Sequence, residues 1–177
     1  MGPVKGEGAT RVEVTRRTRS ARQTFELGIR LGEALQGGDV VAFVGELGAG
    51  KTRMVRGVAR GAGVPDEQVA SPTFAIVATY AGRIPIHHAD LYRVSDLDEL
   101  YATGFSELVG GDGALLVEWA DRIPTALPGE RLEIRLEHDD RAPDVRHLTF
   151  VGMGARHAAL ARRFQLKRRG DRPGAAR

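Results

Sequence analysis

Residues 45–52, Gly-Glu-Leu-Gly-Ala-Gly-Lys-Thr, set two glycines, a lysine and a hydroxyl at the spacing that holds a polyphosphate. Glycine lets backbone N–H groups turn inward and approach phosphate oxygens that a Cβ would keep away. Lys51 adds a point charge for the β- and γ-phosphates, and the Thr52 hydroxyl is a ligand for Mg2+. Gly45, Glu46, Gly48, Ala49, Gly50, Lys51 and Thr52 are therefore the candidate nucleotide-binding positions. The apolar run Val40-Val41-Ala42-Phe43-Val44 precedes the loop and a helical pattern follows it, so strand, loop and helix N-terminus together predict an anion site.

Such a loop needs acids to complete a magnesium site, and two stand at the downstream ends of apolar runs, where open α/β sheets bind ligands. Glu118 follows Ala-Leu-Leu-Val, a Walker B pattern, and Asp90 follows Ile-Pro-Ile-His-His-Ala. One acid could hold Mg2+ and the other orient an attacking water, which makes Lys51, Asp90 and Glu118 the candidate catalytic set. His87 and His88 are strand neighbours facing opposite ways, which argues against a shared metal and for packing or hydrogen bonding. Ser71 and Thr73 flank Pro72 and could sense a γ-phosphate or cap a turn. Trp119, the only tryptophan, suits core packing or a nucleotide or partner contact.

The elements that must position these groups are readable in outline. RVEVTRRT (11–18) contains an alternating stretch and predicts a first strand. Ser20 and Gln23 form a capping box, Leu27, Leu31, Ala34 and Leu35 give helical spacing, and Gly37-Gly38 ends that helix. After the loop, Val55, Val58, Ala59 and Ala62 lay one apolar stripe against a sheet, and Gly63 with Pro65 stops the helix. Strands are expected over 75–80 and 84–89, with a turn at Gly82-Arg83 between them. A helix is expected from Ser95, broken at Gly104, and a buried strand over 114–117 leads into Glu118. Residues 131–137 and 145–151 alternate as an edge hairpin, and 156–165 reads as a helix with Leu160 and Phe164 one turn apart.

At 177 residues the chain is expected to form one domain. It has no cysteine, which excludes disulfides, iron–sulfur clusters and thiolate zinc sites. No apolar run approaches the roughly 20 residues of a membrane helix and no signal-peptide pattern occurs, so a cytoplasmic protein without membrane contact is expected. The net charge of +3 hides a division: residues 1–22 hold six Lys/Arg against two acids and residues 156–177 hold eight against one. Of the 26 basic and 23 acidic residues, 12 and 20 remain in the middle, which is therefore near −8. The basicity belongs to the terminal segments, solvated tails or RNA contacts. Residues 1–19 are read as a basic segment with a possible first strand, 20–166 as the nucleotide-binding domain and 167–177 as a disordered tail.

The loop GELGAGKT, then SPTF (71–74), then HADLYR (88–93), then Val117-Glu118-Trp119 resemble, in that order, the TsaE (YjeE) family over about residues 20–151. Those are bacterial P-loop ATPases needed for threonylcarbamoyladenosine in tRNA. The resemblance implies an α/β, P-loop NTPase-like three-layer sandwich, with a mostly parallel central sheet and a C-terminal antiparallel hairpin. It implies ATP and Mg2+ as cofactors, Gly48 to Arg53 on the phosphates, and Thr52 and Glu118 on the metal. Residues 71–74, with Ser71 and Thr73, would be one switch-like loop, and residues 90–93 would belong to a second. Arg53 stands where many members carry a second threonine, leaving a backbone role. Weak ATP hydrolysis would act as a switch on the TsaD–TsaB pair, with tRNA reached only through that complex. Residues 20–24 are adenine-side candidates on the same ground. A small-molecule P-loop kinase and a nucleotide-gated module without significant turnover are the competing readings.

Overall fold

The computed structural model describes residues 10–65, 68–72 and 74–165. Its chain order is β1 (Arg11–Thr18), α1 (Ala21–Gly32), β2 (Val40–Val44), α2 (Lys51–Gly61), β3 (Val77–Tyr80), β4 (Ile86–Asp90), α3 (Leu97–Tyr101), α4 (Phe105–Leu108), β5 (Ala114–Glu118), β6 (Leu132–Asp139), β7 (Ala142–Met153) and α5 (Ala155–Arg162). Seven strands form one sheet in the order β1-β7-β6-β2-β5-β4-β3. The four central strands are parallel, and β3, β7 and β1 add antiparallel pairs at the two sides.

Alternation along the strands makes two cores and hence three layers. Val41, Phe43, Leu116 and Ile86 face α1, α2 and α5, together with Met54, Val58 and Leu160. Val40, Ala42, Leu115, Val117 and Ala89 face the opposite side with Leu100 and Phe105. No helix among the described residues is long and apolar enough to cross a membrane.

Helices α1 and α2 touch backbone to backbone. Gly28 and Gly32 on one face Gly57 and Gly61 on the other, each pair four residues apart. A Cβ at Gly57 would lie 2.2 Å from the Phe25 carbonyl oxygen, and one at Gly61 2.1 Å from that of Ile29. The two helices that flank the glycine loop are thus held at a spacing no larger side chain allows.

Several boundaries differ from the sequence expectations. Ser20 caps α1 by accepting from Gln23 N at 3.2 Å, as the capping box requires. Gln23 Oε1, however, accepts from Arg19 N at 2.8 Å, one residue earlier than the motif predicts. The helix ends at Gly32 rather than at Gly37-Gly38: Ala34 N and Leu35 N turn back to Leu31 O and Gly32 O, three residues earlier, and distant arginines take carbonyls at and beyond this end. Arg83 donates to Gly32 O at 3.1 Å and Leu35 O at 3.0 Å, and Arg156 to Ala34 O at 2.8 Å. Strand β3 begins at Val77 rather than 75, since Ile76 has φ 62 and closes a turn onto Pro72 O. Helix α3 begins at Leu97 rather than Ser95, with Asp96 as its cap accepting from Glu99 N at 2.9 Å. The β6–β7 hairpin is internal: β6 pairs with β2, and β1 covers the outer side of β7. The basic ends at 1–9 and 166–177, the latter including the expected tail, lie outside the described residues.

Candidate functional site

The loop between β2 and α2 is shaped by three left-handed glycines, Gly45 (φ 152), Gly48 (φ 78) and Gly50 (φ 104). Gly45 has a second constraint, because a Cβ there would lie 2.4 Å from the Leu136 carbonyl oxygen on β6. Gly50 is the N-cap of α2 and contributes no side-chain cap, so the first-turn N–H groups face the loop. With the positive end of the helix dipole, they can receive an anion.

Lys51 opens α2 and is 4% exposed. Its Nζ donates to Gly45 O at 2.6 Å and Glu46 O at 2.9 Å, and lies 3.6 Å from the centroid of the Trp119 ring. Burial pushes the Lys51 ammonium below the usual lysine range, opposed by the negative charges of Glu118, Asp121 and Asp90. Trp119 holds this position with φ 56, a left-handed conformation uncommon for a bulky residue. Its ring also packs on Tyr92, with centroids 4.9 Å apart.

The sheet brings the two acids side by side. In the parallel β4–β5 register, Asp90 is the partner of Glu118, and His88 of Leu116. Glu118 is 2% exposed and receives Thr52 Oγ1 on Oε2 at 2.8 Å, while its Oε1 lies 2.9 Å from His88 Nε2. Asp90 takes Ser71 Oγ on Oδ2 at 2.6 Å and Tyr92 N on Oδ1 at 3.0 Å. The two histidines part as strand alternation predicts: the His87 ring lies 2.9 Å from Thr79 Oγ1 and away from Glu118.

Lys51, Thr52, Ser71, Asp90, Glu118 and Trp119 therefore converge at the C-terminal ends of β2, β4 and β5. Thr73 lies outside the described residues. Glu46 lines an open cavity of about 410 Å3 with Gly45, Leu136, Glu137, His138 and Asp140. Arg53 is exposed and lines a smaller one of about 230 Å3 with Ala21, Thr24, Gly48, Gly50, Asp144 and Arg146. The sequence reading missed Arg146. From β7 its Nε donates to Ala49 O at 3.1 Å, tying the loop to the far side of the sheet. An arginine within an alternating strand carries no signal of that reach. His88 was legible only as a packing or hydrogen-bonding residue.

Chemically, the cluster offers a concave set of backbone donors, a buried ammonium, and a hydroxyl beside a carboxylate. The last two are hard oxygen donors of the kind Mg2+ prefers. A second carboxylate stands one strand away.

The family profile described as threonylcarbamoyl adenosine biosynthesis protein TsaE matches residues 18–147. The tRNA threonylcarbamoyladenosine biosynthesis protein TsaE of Streptomyces coelicolor is 40% identical over 139 residues, covering 75% of this chain and 93% of the relative. The proteins of the same name from Treponema pallidum and Bacillus subtilis are 40% and 42% identical, over 67% and 70% of this chain and 87% and 75% of their own. The crystal structure of Bacillus subtilis YdiB superposes with a TM-score of 0.71 at 31% identity, covering 88% of this chain and 95% of that one. Profile and relatives agree, and the chain belongs to the TsaE family.

Proposed function

We propose that this protein binds ATP with Mg2+ at the glycine loop, hydrolyses it slowly, and thereby serves threonylcarbamoylation of tRNA adenosine. The observation that carries the reading is the 2.8 Å contact between Thr52 Oγ1 and Glu118 Oε2 directly behind Lys51. A hydroxyl and a carboxylate at that separation fit a hard divalent cation, with further ligands from water and phosphate. Bound there, Mg2+ would neutralise charge developing on the phosphoryl oxygens.

The chain's own groups divide the remaining work. Gly48, Ala49, Gly50, Lys51, Thr52 and Arg53 would present N–H groups to the phosphates, and Gly45 and Glu46 shape the loop's entry. The Lys51 ammonium would exchange the carbonyls of Gly45 and Glu46 for phosphate oxygens. Asp90, restrained by Ser71 and Tyr92 N, is the candidate to orient the attacking water; Ser71 and Thr73 would register the γ-phosphate. Because the Ser71–Asp90 hydrogen bond links two different segments, loss of the γ-phosphate can be transmitted to both.

The product of the cycle is then a change in how partners are gripped, namely the TsaD–TsaB pair, with tRNA reached through them in the cytoplasm. The test combines phosphate release with capture of TsaD and TsaB in ATP or ADP. Glu118→Gln and Asp90→Asn are expected to lower hydrolysis by about a hundredfold or more. Capture is expected to depend on which nucleotide is present. Hydrolysis unaffected by both substitutions, or capture indifferent to nucleotide, overturns the proposal.

A further inference from the structure

We infer that His88 is a positioning residue for Glu118: its ring N–H holds one carboxylate oxygen so that the other stays turned to Thr52 and the metal. The inference rests on the Mg2+ site proposed above and adds a residue to it. His88 is fully buried on β4, and its Nε2 lies 2.9 Å from Glu118 Oε1. An ionised carboxylate offers only lone pairs, so Nε2 carries the hydrogen and the ring donates. The other oxygen, Oε2, accepts from Thr52 Oγ1. Two donors on two different oxygens, one from β4 and one from α2, fix both the rotation and the plane of the Glu118 carboxylate. With Thr52 alone, the group could pivot about a single contact.

The rest of the ring shows what the histidine is for. Among the described residues, the buried His88 Nδ1 has no hydrogen-bond partner. Tyr80 lies beside the ring at 6.5 Å between centroids. An apolar side chain could fill this space without burying an unpaired nitrogen, so packing does not account for an imidazole here. What distinguishes histidine from such a residue is the donor aimed at Glu118. Partners that orient metal ligands from behind change metal affinity by about 10- to 100-fold when removed.

The experiment compares His88→Gln, whose amide N–H reaches as far as Nε2, with His88→Asn, an amide too short to reach. Calorimetry on each folded variant gives the affinity for the non-hydrolysable ATP analogue AMPPNP without metal. It then gives the Mg2+ concentration that half-maximally tightens binding. Glu118→Gln serves as reference and thermal melting checks folding. His88→Asn is expected to need at least about tenfold more Mg2+ than wild type and His88→Gln no more than about threefold. Metal-free affinity should be unchanged in both. Equal Mg2+ requirements in wild type and His88→Asn, with Glu118→Gln still raised, overturn the positioning role alone. A Mg2+ requirement unaltered by Glu118→Gln overturns the metal-site reading and this inference together. Equal loss in His88→Gln and His88→Asn also overturns it, because reach would then not matter.

Discussion

Replacing Gly57 by alanine adds a single methyl group where α2 meets α1. In an isolated helix this change is favourable by about 0.8–1 kcal/mol, because glycine is the poorer helix former. Here the new Cβ would lie 2.2 Å from the Phe25 carbonyl oxygen and 3.0 Å from Gly28 Cα. Both are backbone atoms, so no rotamer change relieves the overlap and the helices must separate. Overpacking of this kind costs about 1–3 kcal/mol, and a backbone-to-backbone clash belongs at the upper end. The balance is a net loss of about 2 kcal/mol, which for a domain of this size lowers the melting temperature by about 4–8 °C. Circular dichroism melts of Gly57→Ala and of Gly129→Ala decide the matter. At Gly129 an added Cβ meets nothing within 4 Å, so that variant should stay close to wild type. A Gly57→Ala protein as stable as wild type would refute the close-packing argument.

Trp119 provides a reporter, since it is the only tryptophan and its ring centroid lies 3.6 Å from Lys51 Nζ. Binding of ATP should draw the ammonium from the indole face and shift the emission, and a Lys51→Ala protein should show no nucleotide-induced shift. A second expectation concerns acid. Burial pushes the His157 imidazole below the usual histidine range, with nearby Asp39 opposing and Arg156 reinforcing the shift. The unfolded chain then binds the extra proton first, so stability should fall as pH drops below about 6.5 towards the lowered value. Chemical denaturation across that range should show a gentler slope in a His157→Gln protein; an equal slope would assign the acid sensitivity elsewhere.

Much of this architecture is written in local pattern. β1, β2 and β5 follow from alternation or short apolar runs, and α2 follows from the stripe of Val55, Val58, Ala59 and Ala62. Gly45, Gly48 and Gly50 are legible because their left-handed conformations tolerate few other residues. What alternation could not supply is register. Nothing near Asp90 in the chain says that it will lie beside Glu118, because that follows from parallel pairing of β4 with β5. Long-range capping was hidden for the same reason. Arg83 reads locally as a turn residue, yet it closes the end of α1 about fifty positions earlier. The facing pairs Gly28–Gly32 and Gly57–Gly61 carry meaning only once two helices are known to meet.

Calorimetric titration of ATP with Mg2+ into the wild-type and Lys51→Ala proteins tests whether the glycine loop and its lysine bind a nucleoside triphosphate. Loss of charge-assisted hydrogen bonds worth about 1.5–3 kcal/mol predicts binding weakened by about ten- to a hundredfold in the variant. Equal affinity in the two proteins would contradict the assignment of the site.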